Sequence, residues 1–571
     1  VTDFILDELT KRGIDTVFGI TGGFITPMFD AFSRHKDSKF VCTQNEQAAA
    51  FAADGYARFK GLGCALATSG PGATNLITGI AASWFDSIPV IFITGQVNTH
   101  DAALDSGVRQ RGFQETDIVG IVRKITKFAV TVSDPKRIGY WLDFALWKAH
   151  SGRPGPVLLD IPIDVQLAEV DLETLQRLTF PPMTGYIIAP EEIEKIVTMI
   201  GEAKRPVIIY GQGARHARAE LIEFIERTGI PCVPSWAGLD IIPHDHPLFV
   251  ERMGVYGHRA ANIAVQNADL IITIGTRLDT RMTGSDGFAP NAKKVVLDID
   301  KAEARKCKPI VTIIADTLDA LKALNAELEL PRAEYPFHSW MGRIAAWKQK
   351  YPITGPETDP IHPVSFIRQL NALLPDDAIV VTDAGAAQTW AQQVFNVRGT
   401  QRIFSDYGMS CMGYSIPAAI GAHYATGQSI VVIVGDGAMQ MNIQELQTLA
   451  HYQIPVKVFI LNNHSYGMIK QFQEELFEGR FEATDAEHGY DAPDFQRIAN
   501  AYGLHSIRIL KQTNIGWMSA KALSLDGPFI VDVEIDPAAR VFPKCTFGNP
   551  LHNQSPLLPP EEVEANMRYD G

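Results

Sequence analysis

The segments SIVVIVGDGAM (429–439) and VKVFILNNHSYG (456–467) follow one plan: a largely β-branched apolar run, broken in the second only by Lys457, that stops abruptly on Gly, Asp or Asn. An apolar run without alternation belongs to a strand buried on both faces. The plan recurs in CALATSGPGATN (64–75), PVIFITGQ (89–96), PVIIYGQGAR (206–215) and DLIITIGTR (269–277), each followed by an amphipathic stretch. Strands alternating with helices predict parallel α/β sheets, and such sheets bind ligands at the carboxyl ends of their strands.

Two Pro-containing, weakly periodic stretches, 153–185 and 331–363, divide the chain into blocks at about 1–165, 185–335 and 360–535, with a polar, Pro-rich tail over 540–571. Three α/β domains, each a parallel sheet flanked by helices, are therefore expected, in keeping with 571 residues. The charge balance is acidic, 51 Lys and Arg against 65 Asp and Glu, a net of −14. Such a surface repels phosphate backbones and anionic lipid, so neither nucleic acid nor membrane is an expected partner. The six cysteines are scattered without a CxxC pair, which fits a reduced, cytoplasmic setting. The opening VTDFILDELTKRGIDTVFGI has neither the basic-then-apolar order of a signal nor a membrane span, and the missing initiator Met points to trimming.

Gly435-Asp436-Gly437 and the pair Asn462-Asn463 both fall just past apolar runs, so Asp436 and Asn463 can converge from neighbouring strand ends on one small cation. Both are hard oxygen ligands of the kind Mg²⁺ takes, leaving its other positions to phosphate and water. Gly435 and Gly437 would admit a diphosphate close to the backbone, and a helix over AMQMNIQELQTLA (438–450) would aim its N-terminus at the same anion. A lone Gly-Asp-Gly is an ordinary tight turn; the Asn pair at this spacing favours the metal–diphosphate reading. The stretch QNEQAAAFAADGYAR (44–58) reads as a helix of small residues with Glu46 at its start. A carboxylate poorly solvated among alanines must be paired or protonated, the setting of a proton relay, although taken by itself a helix-capping role suits the position better.

These motifs, with VFGITGG (17–23), TSGPGATNL (68–76), GFQETDIV (112–119), SGRPGPVLLDIP (151–162), GTRLDTRMTG (275–284), MGYSIPAAIGA (412–422), GDGAMQMN (435–442) and LNNHSYGM (461–468), resemble the thiamine-diphosphate enzymes, within them the acetohydroxyacid synthase (acetolactate synthase) group. The resemblance implies a carboligase that decarboxylates pyruvate or a similar 2-oxo acid and joins the remaining acyl unit to a second carbonyl compound. It makes Glu46 the glutamate that hydrogen-bonds the aminopyrimidine ring of thiamine diphosphate and shifts its tautomer. Met412 becomes the apolar side chain that bends the cofactor, and the Ser410 carbonyl the acceptor for its amine. Gly435, Asp436, Gly437, Ala438, Asn463, Gly467 and Met468 become its diphosphate and metal seat, with Mg²⁺ on Asp436, Asn463 and Ser465. Gly23 and Gln114 match residues that crowd the reactive carbon; Phe113, Met468, Phe472 and Arg277 match the substrate pocket, Arg277 gripping an acceptor carboxylate.

In the middle block Arg153, Gly211, Gly213, Arg277, Asp279, Arg281, Asp298 and Asp316 match contacts to FAD, a redox bystander in the synthases and an electron acceptor in related pyruvate oxidases. The resemblance also implies a homodimer or homotetramer with shared sites, and leaves open a regulatory subunit. Departures cluster near acceptor entry: Asn45 where synthases have His, a longer loop NTHDAALDSGVRQRG (98–112), Ala386-Ala387 in place of Gln-His, Phe472 in place of Trp, and a different ending, FGNPLHNQSPLLPPEE (547–562). An aldehyde, ketone or keto-sugar acceptor is thus a rival to a 2-oxo acid. An FAD-dependent oxidase or decarboxylase, and a cofactor-binding protein without catalysis, are further alternatives.

Overall fold

The computed structural model describes residues 1–103, 106–180, 186–284, 287–328, 337–546 and 548–568. Three parallel sheets flanked by helices account for most of it. The first contains β1 (Thr16–Gly19), β2 (Lys39–Cys42), β3 (Gly63–Ala67), β4 (Val90–Gln96), β5 (Phe128–Thr131) and β6 (Val157–Pro162), in the order β2-β1-β3-β4-β6-β5. The central sheet contains β7 (Pro206–Tyr210), β8 (Cys232–Pro234), β9 (Leu270–Ile274), β10 (Lys293–Asp298) and β11 (Val311–Ile314), in the order β11-β10-β9-β7-β8. The third contains β12 (Ile379–Thr382), β13 (Arg402–Phe404), β14 (Ile430–Gly435), β15 (Val456–Asn462), β16 (His505–Ile509) and β17 (Phe529–Glu534), in the order β13-β12-β14-β15-β17-β16.

The quoted apolar runs are β14 and β15, and their lack of alternation has a direct cause. Ile430, Val432 and Val434 of β14 join an apolar core continuous with that of the first sheet, while Val431 and Ile433 point the other way, into a core continuous with the central sheet. Both faces are dry, so both carry aliphatic side chains.

The first and third units meet through two helices, Glu46–Lys60 and Ser415–Thr426, whose backbones touch. A Cβ at Gly421 would run into the Ala52 carbonyl, and one at Gly55 into the Ala418 carbonyl. The small residues of this stretch are therefore required by close packing.

The tail does more than trail from the third sheet. Arg540, Val541 and Lys544 are bonded to Glu474, Gln471 and Glu475 of the helix Gly467–Phe477. The chain then crosses to the central unit, where Asn262 and Asn267 donate to the carbonyls of Leu551 and Asn566, and to the following helix His338–Lys350, whose Trp347 donates to the Asn566 side chain.

Candidate active site

At the carboxyl ends of β14 and β15, Asp436 and Asn463 come together as their spacing predicts. Both are buried, at 2% and 5% exposure. Tyr490 donates to Asp436 Oδ2 (3.0 Å), and burial pushes the Asp436 carboxyl up to about 6. The Asn463 amide can stand in two orientations. In one, its oxygen lies 3.1 Å from Asp436 Oδ1 and 2.9 Å from the Ser465 carbonyl; in the other, its nitrogen takes that place and donates to both. The first gathers a carboxylate, an amide oxygen and a carbonyl oxygen with no hydrogen between them, a donor set that fits a hard divalent cation. Among the described residues no three His, Cys, Asp or Glu side chains cluster as a metal site, so this mixed oxygen set stands in their place. Above it Gly435 is open, the nearest atom to a built Cβ being that of Ala387 at 3.9 Å. Ala386-Ala387 thus leave room beside the strand end.

The helix expected over 438–450 is broken. Asp436–Met441 gives way at Asn442 to a 3₁₀ turn and then Leu446–Tyr452. Asn442 is drawn aside by bonds to the Gly413 carbonyl (2.8 Å) and Gln47 (3.3 Å).

Ser410 and Met412 sit on an irregular segment gripped by acids. Asp406 accepts from the backbone N–H groups of Met409 (3.0 Å) and Cys411 (2.9 Å), and Asp383 from those of Gly413 (2.9 Å) and Ser415 (2.8 Å). Between these anchors Ser410 takes a left-handed conformation, φ +59°. Half-buried Met412 brings its Cε to 3.5 Å from a Cβ built on Gly437. The matched methionine and the Gly-Asp-Gly turn, distant in sequence, are neighbours.

Glu46 corrects one expectation. It opens its helix, with the Asn45 side chain accepting from Gln47 N (2.8 Å), but it is half-exposed rather than buried among the alanines, which face the neighbouring helix instead. Its carboxylate receives the Asn75 amide at 2.9 Å. Just upstream, buried Glu445 of the third unit accepts from Gln44 N (2.9 Å) and Thr448 Oγ1 (2.7 Å), and burial pushes its carboxyl up to about 7.

Gly23 lacks the positive φ that would explain a loop glycine, and nothing lies within 4 Å of a built Cβ, so the fold does not demand glycine there. Gln114 is left-handed, φ +61°, and Phe113 beside it is 77% exposed. The longer loop before them is tied down by Glu115, whose carboxylate accepts from Ala103, Arg111 (2.8 Å) and Gly112 (3.1 Å) N–H groups; residues 104–105 of that loop lie outside the described ones.

The middle-block residues gather along the carboxyl ends of the central strands: Gly211 and Gly213 after β7, Arg277, Asp279 and Arg281 after β9, Asp298 ending β10 and Asp316 after β11. Gly211 and Gly213 pack against Gly275, leaving no room for side chains. Arg277 donates to the Phe85 carbonyl (2.6 Å) while its buried Nε has no partner. Asp279 caps the turn Thr280–Thr283, and the Arg281 guanidinium lies 4.9 Å over the Trp236 ring. Burial pushes Asp298 up to about 6. Two members are committed within the protein: Arg153 to Asp300 and Glu303 (3.0 Å each), and Asp316 to His216 (2.7 Å), which holds the Asp316 carboxyl below its usual range. Met468 and Phe472 share the first turns of Gly467–Phe477; Tyr256 donates to the Met468 sulfur (3.8 Å), and the buried Lys544 ammonium lies 4.3 Å over the Phe472 ring.

Sequence reading missed Tyr490, Asp383, Asp406, Asn75, Glu445 and Lys544. Asp383 directly follows the apolar run of β12, so the strand-end rule that found Asp436 also reaches it. The others depend on contacts no local pattern announces.

Family models for the thiamine pyrophosphate enzymes match in chain order: the N-terminal TPP binding domain over residues 1–121, the central domain over 193–324 and the C-terminal TPP binding domain over 383–533. The chain therefore belongs to the thiamine pyrophosphate enzyme family. Its similarity extends along nearly the whole length to acetolactate synthase isozyme 2 large subunit of Escherichia coli, at 36% identity over 95% of this chain and 96% of that protein. It is 36% identical to the acetolactate synthase large subunit of Cyanidium caldarium over 95% and 94% of the two chains. For the chloroplastic acetolactate synthase of Arabidopsis thaliana the identity is 37% over 96% and 83%.

Proposed function

We propose that the chain is a thiamine-diphosphate- and Mg²⁺-dependent carboligase of the acetolactate synthase type, which decarboxylates pyruvate or a similar 2-oxo acid and joins the acyl unit to a second carbonyl compound. The observation that carries this is the meeting of Asp436, Asn463 and the Ser465 carbonyl beside the open Gly435, with Met412 reaching over Gly437. Bound thiamine diphosphate would supply a carbon acid and an electron sink, which no side chain offers. Asp436, Asn463 and Ser465 would hold Mg²⁺, with Gly435, Gly437, Ala438, Gly467 and Met468 around the diphosphate. The Ser410 carbonyl would receive the cofactor's amine. Glu46, kept oriented by Asn75, would hold the proton on the pyrimidine nitrogen, and Gly23, Phe113 and Gln114 would shape the space above.

FAD is proposed for the crest of the central sheet, where the glycine contacts and the unpartnered Arg277 Nε suit a dinucleotide, with Arg153 and Asp316 as second-hand supports because protein groups already engage them. Domain limits near 1–165, 185–335 and 360–535 are adopted with this reading. A homodimer or homotetramer is proposed from the exposure of Phe113, and light scattering of an active monomer would refute it. A cytoplasmic setting is kept with this reading on the free cysteines; among the described residues no helix is long and apolar enough to cross a membrane.

A second reading of the acceptor, as an aldehyde, ketone or keto-sugar, is favoured by two observations: Arg277 commits one guanidinium nitrogen to the Phe85 carbonyl, and Ala386-Ala387 keep the space beside Gly435 open. Mass spectrometry of products from pyruvate alone and with a panel of acceptors tests both. Acetolactate or acetoin supports the carboligase, a larger adduct identifies the acceptor, and hydrogen peroxide or free acetaldehyde as the main product overturns it.

A further inference from the structure

The segment 407–415 links β13 to the helix Ser415–Thr426 and carries Ser410 and Met412. Six of its backbone N–H groups go in pairs to buried carboxylates: Tyr407 and Gly408 to Asp86 (3.0 and 2.8 Å), Met409 and Cys411 to Asp406, Gly413 and Ser415 to Asp383. Asp406 and Asp383 belong to the same unit as the segment. Asp86 does not: it is the last residue of the helix Ile77–Asp86 in the first unit.

We propose that Asp86 is a positioning residue of the active site, fixing the first half of this segment so that the Ser410 carbonyl and Met412 face the cofactor. The assignment rests on the reading of the segment as the cofactor's pyrimidine seat. The segment lies directly on Asp86: a Cβ at Gly408 would come within 2.6 Å of Phe85 Cβ and 3.0 Å of Asp86 Oδ1. Asp86 is 8% exposed and is paired with Arg58, which donates to it at 2.8 Å. Arg58 in turn is bonded to Asp54 (2.8 Å), and Asp54 accepts from the Tyr414 hydroxyl (2.6 Å), so the pair is built into a network that includes the segment itself. A buried carboxylate with a cation and two N–H donors is a rigid anchor, since moving any partner strands a charge.

The corner that bears Asp86 is also hooked to the central crest. Arg277 donates to the Phe85 carbonyl (2.6 Å), Gln212 to the Asp86 carbonyl (3.2 Å) and Arg153 to Ser87 Oγ (2.8 Å). Three residues matched to or adjoining the flavin set thus steady the same corner that steadies the seat.

The test uses the full chain with Mg²⁺, titrated by calorimetry with thiamine diphosphate and separately with inorganic pyrophosphate, which occupies only the diphosphate half. Asp86→Asn is expected to weaken thiamine diphosphate by about ten- to a hundredfold, the size of a lost charge-assisted bond, with pyrophosphate changed by less than about twofold. At saturating cofactor kcat falls while KM for pyruvate stays put. If thermal melting shows that Asp86→Asn does not fold, Gly408→Ala replaces it; it keeps every carboxylate, lifts the segment and gives the same split. Unchanged thiamine diphosphate affinity in a folded variant, or equal losses for both ligands, overturns the assignment alone. A parent protein that binds neither ligand overturns the seat reading and this assignment with it.

Discussion

The first and third sheets share one strand order, β2-β1-β3-β4-β6-β5 matching β13-β12-β14-β15-β17-β16 position for position, yet their carboxyl ends differ in chemistry. After the four corresponding strands the third sheet presents Asp383, Ser405, Asp436 and Asn463, while the first presents Ile20, Thr43, Thr68 and Val97. At these positions one crest collects oxygen ligands and anchors, while the other presents neutral side chains and carries Glu46 a few residues past its second strand. Topology decides where a site can be, and the residue one step beyond each strand decides what it does.

The sharpest way to break this division of labour is Glu46→Gln. Turnover should fall by about 10²- to 10⁴-fold, the range of a general acid–base contribution, with fold and pyrophosphate binding retained; near-normal kcat would show that the neutral crest is not the proton-handling one. Asp436→Ala addresses the other crest. It should raise the Mg²⁺ and thiamine diphosphate concentrations for half-activation together, by about a hundredfold; saturation curves unchanged from the parent would move the cation elsewhere.

The joint between the two units can be probed by Gly421→Ala, whose methyl group has no space beside Ala52. Overpacking should cost about 1–3 kcal/mol in urea unfolding, and a neutral result would mean the helices part readily. Glu445 gives the smallest effect. Its carboxyl is raised from the ordinary 4.5 to about 7 by burial, so the folded state holds its proton longer than the unfolded one. Its contribution is complete below pH about 4.5 and is lost as pH rises through about 7. Glu445→Gln should flatten that part of the stability–pH curve, and an unaltered slope would assign the titration to another group.

Strand ends such as Asp436, Asn463 and the Gly211 turn were legible because an uninterrupted aliphatic run marks a strand buried on both faces, and the residue that ends it is a local fact. The environment of Glu46 was not. Its alanines suggested burial, but they serve the contact with Gly421, and the carboxylate's partner, Asn75, arrives from another helix. The grip of Asp86 on Tyr407 and Gly408 spans hundreds of residues and uses backbone N–H groups, which every residue but proline possesses and which leave no trace in side-chain pattern. The tail was legible as irregular and Pro-rich, but not its destination, since Asn262 and Trp347 do not announce that they await Leu551 and Asn566.

That destination makes the middle unit discontinuous along the polypeptide. Excised at its own sheet boundaries, it would lose the Leu551 and Asn566 carbonyls that the Asn262 and Asn267 amides now reach. A synthetic peptide spanning 544–567 should therefore complement such a fragment in trans, and any attempt to transplant the flavin-type module into another enzyme must carry two separate pieces of chain.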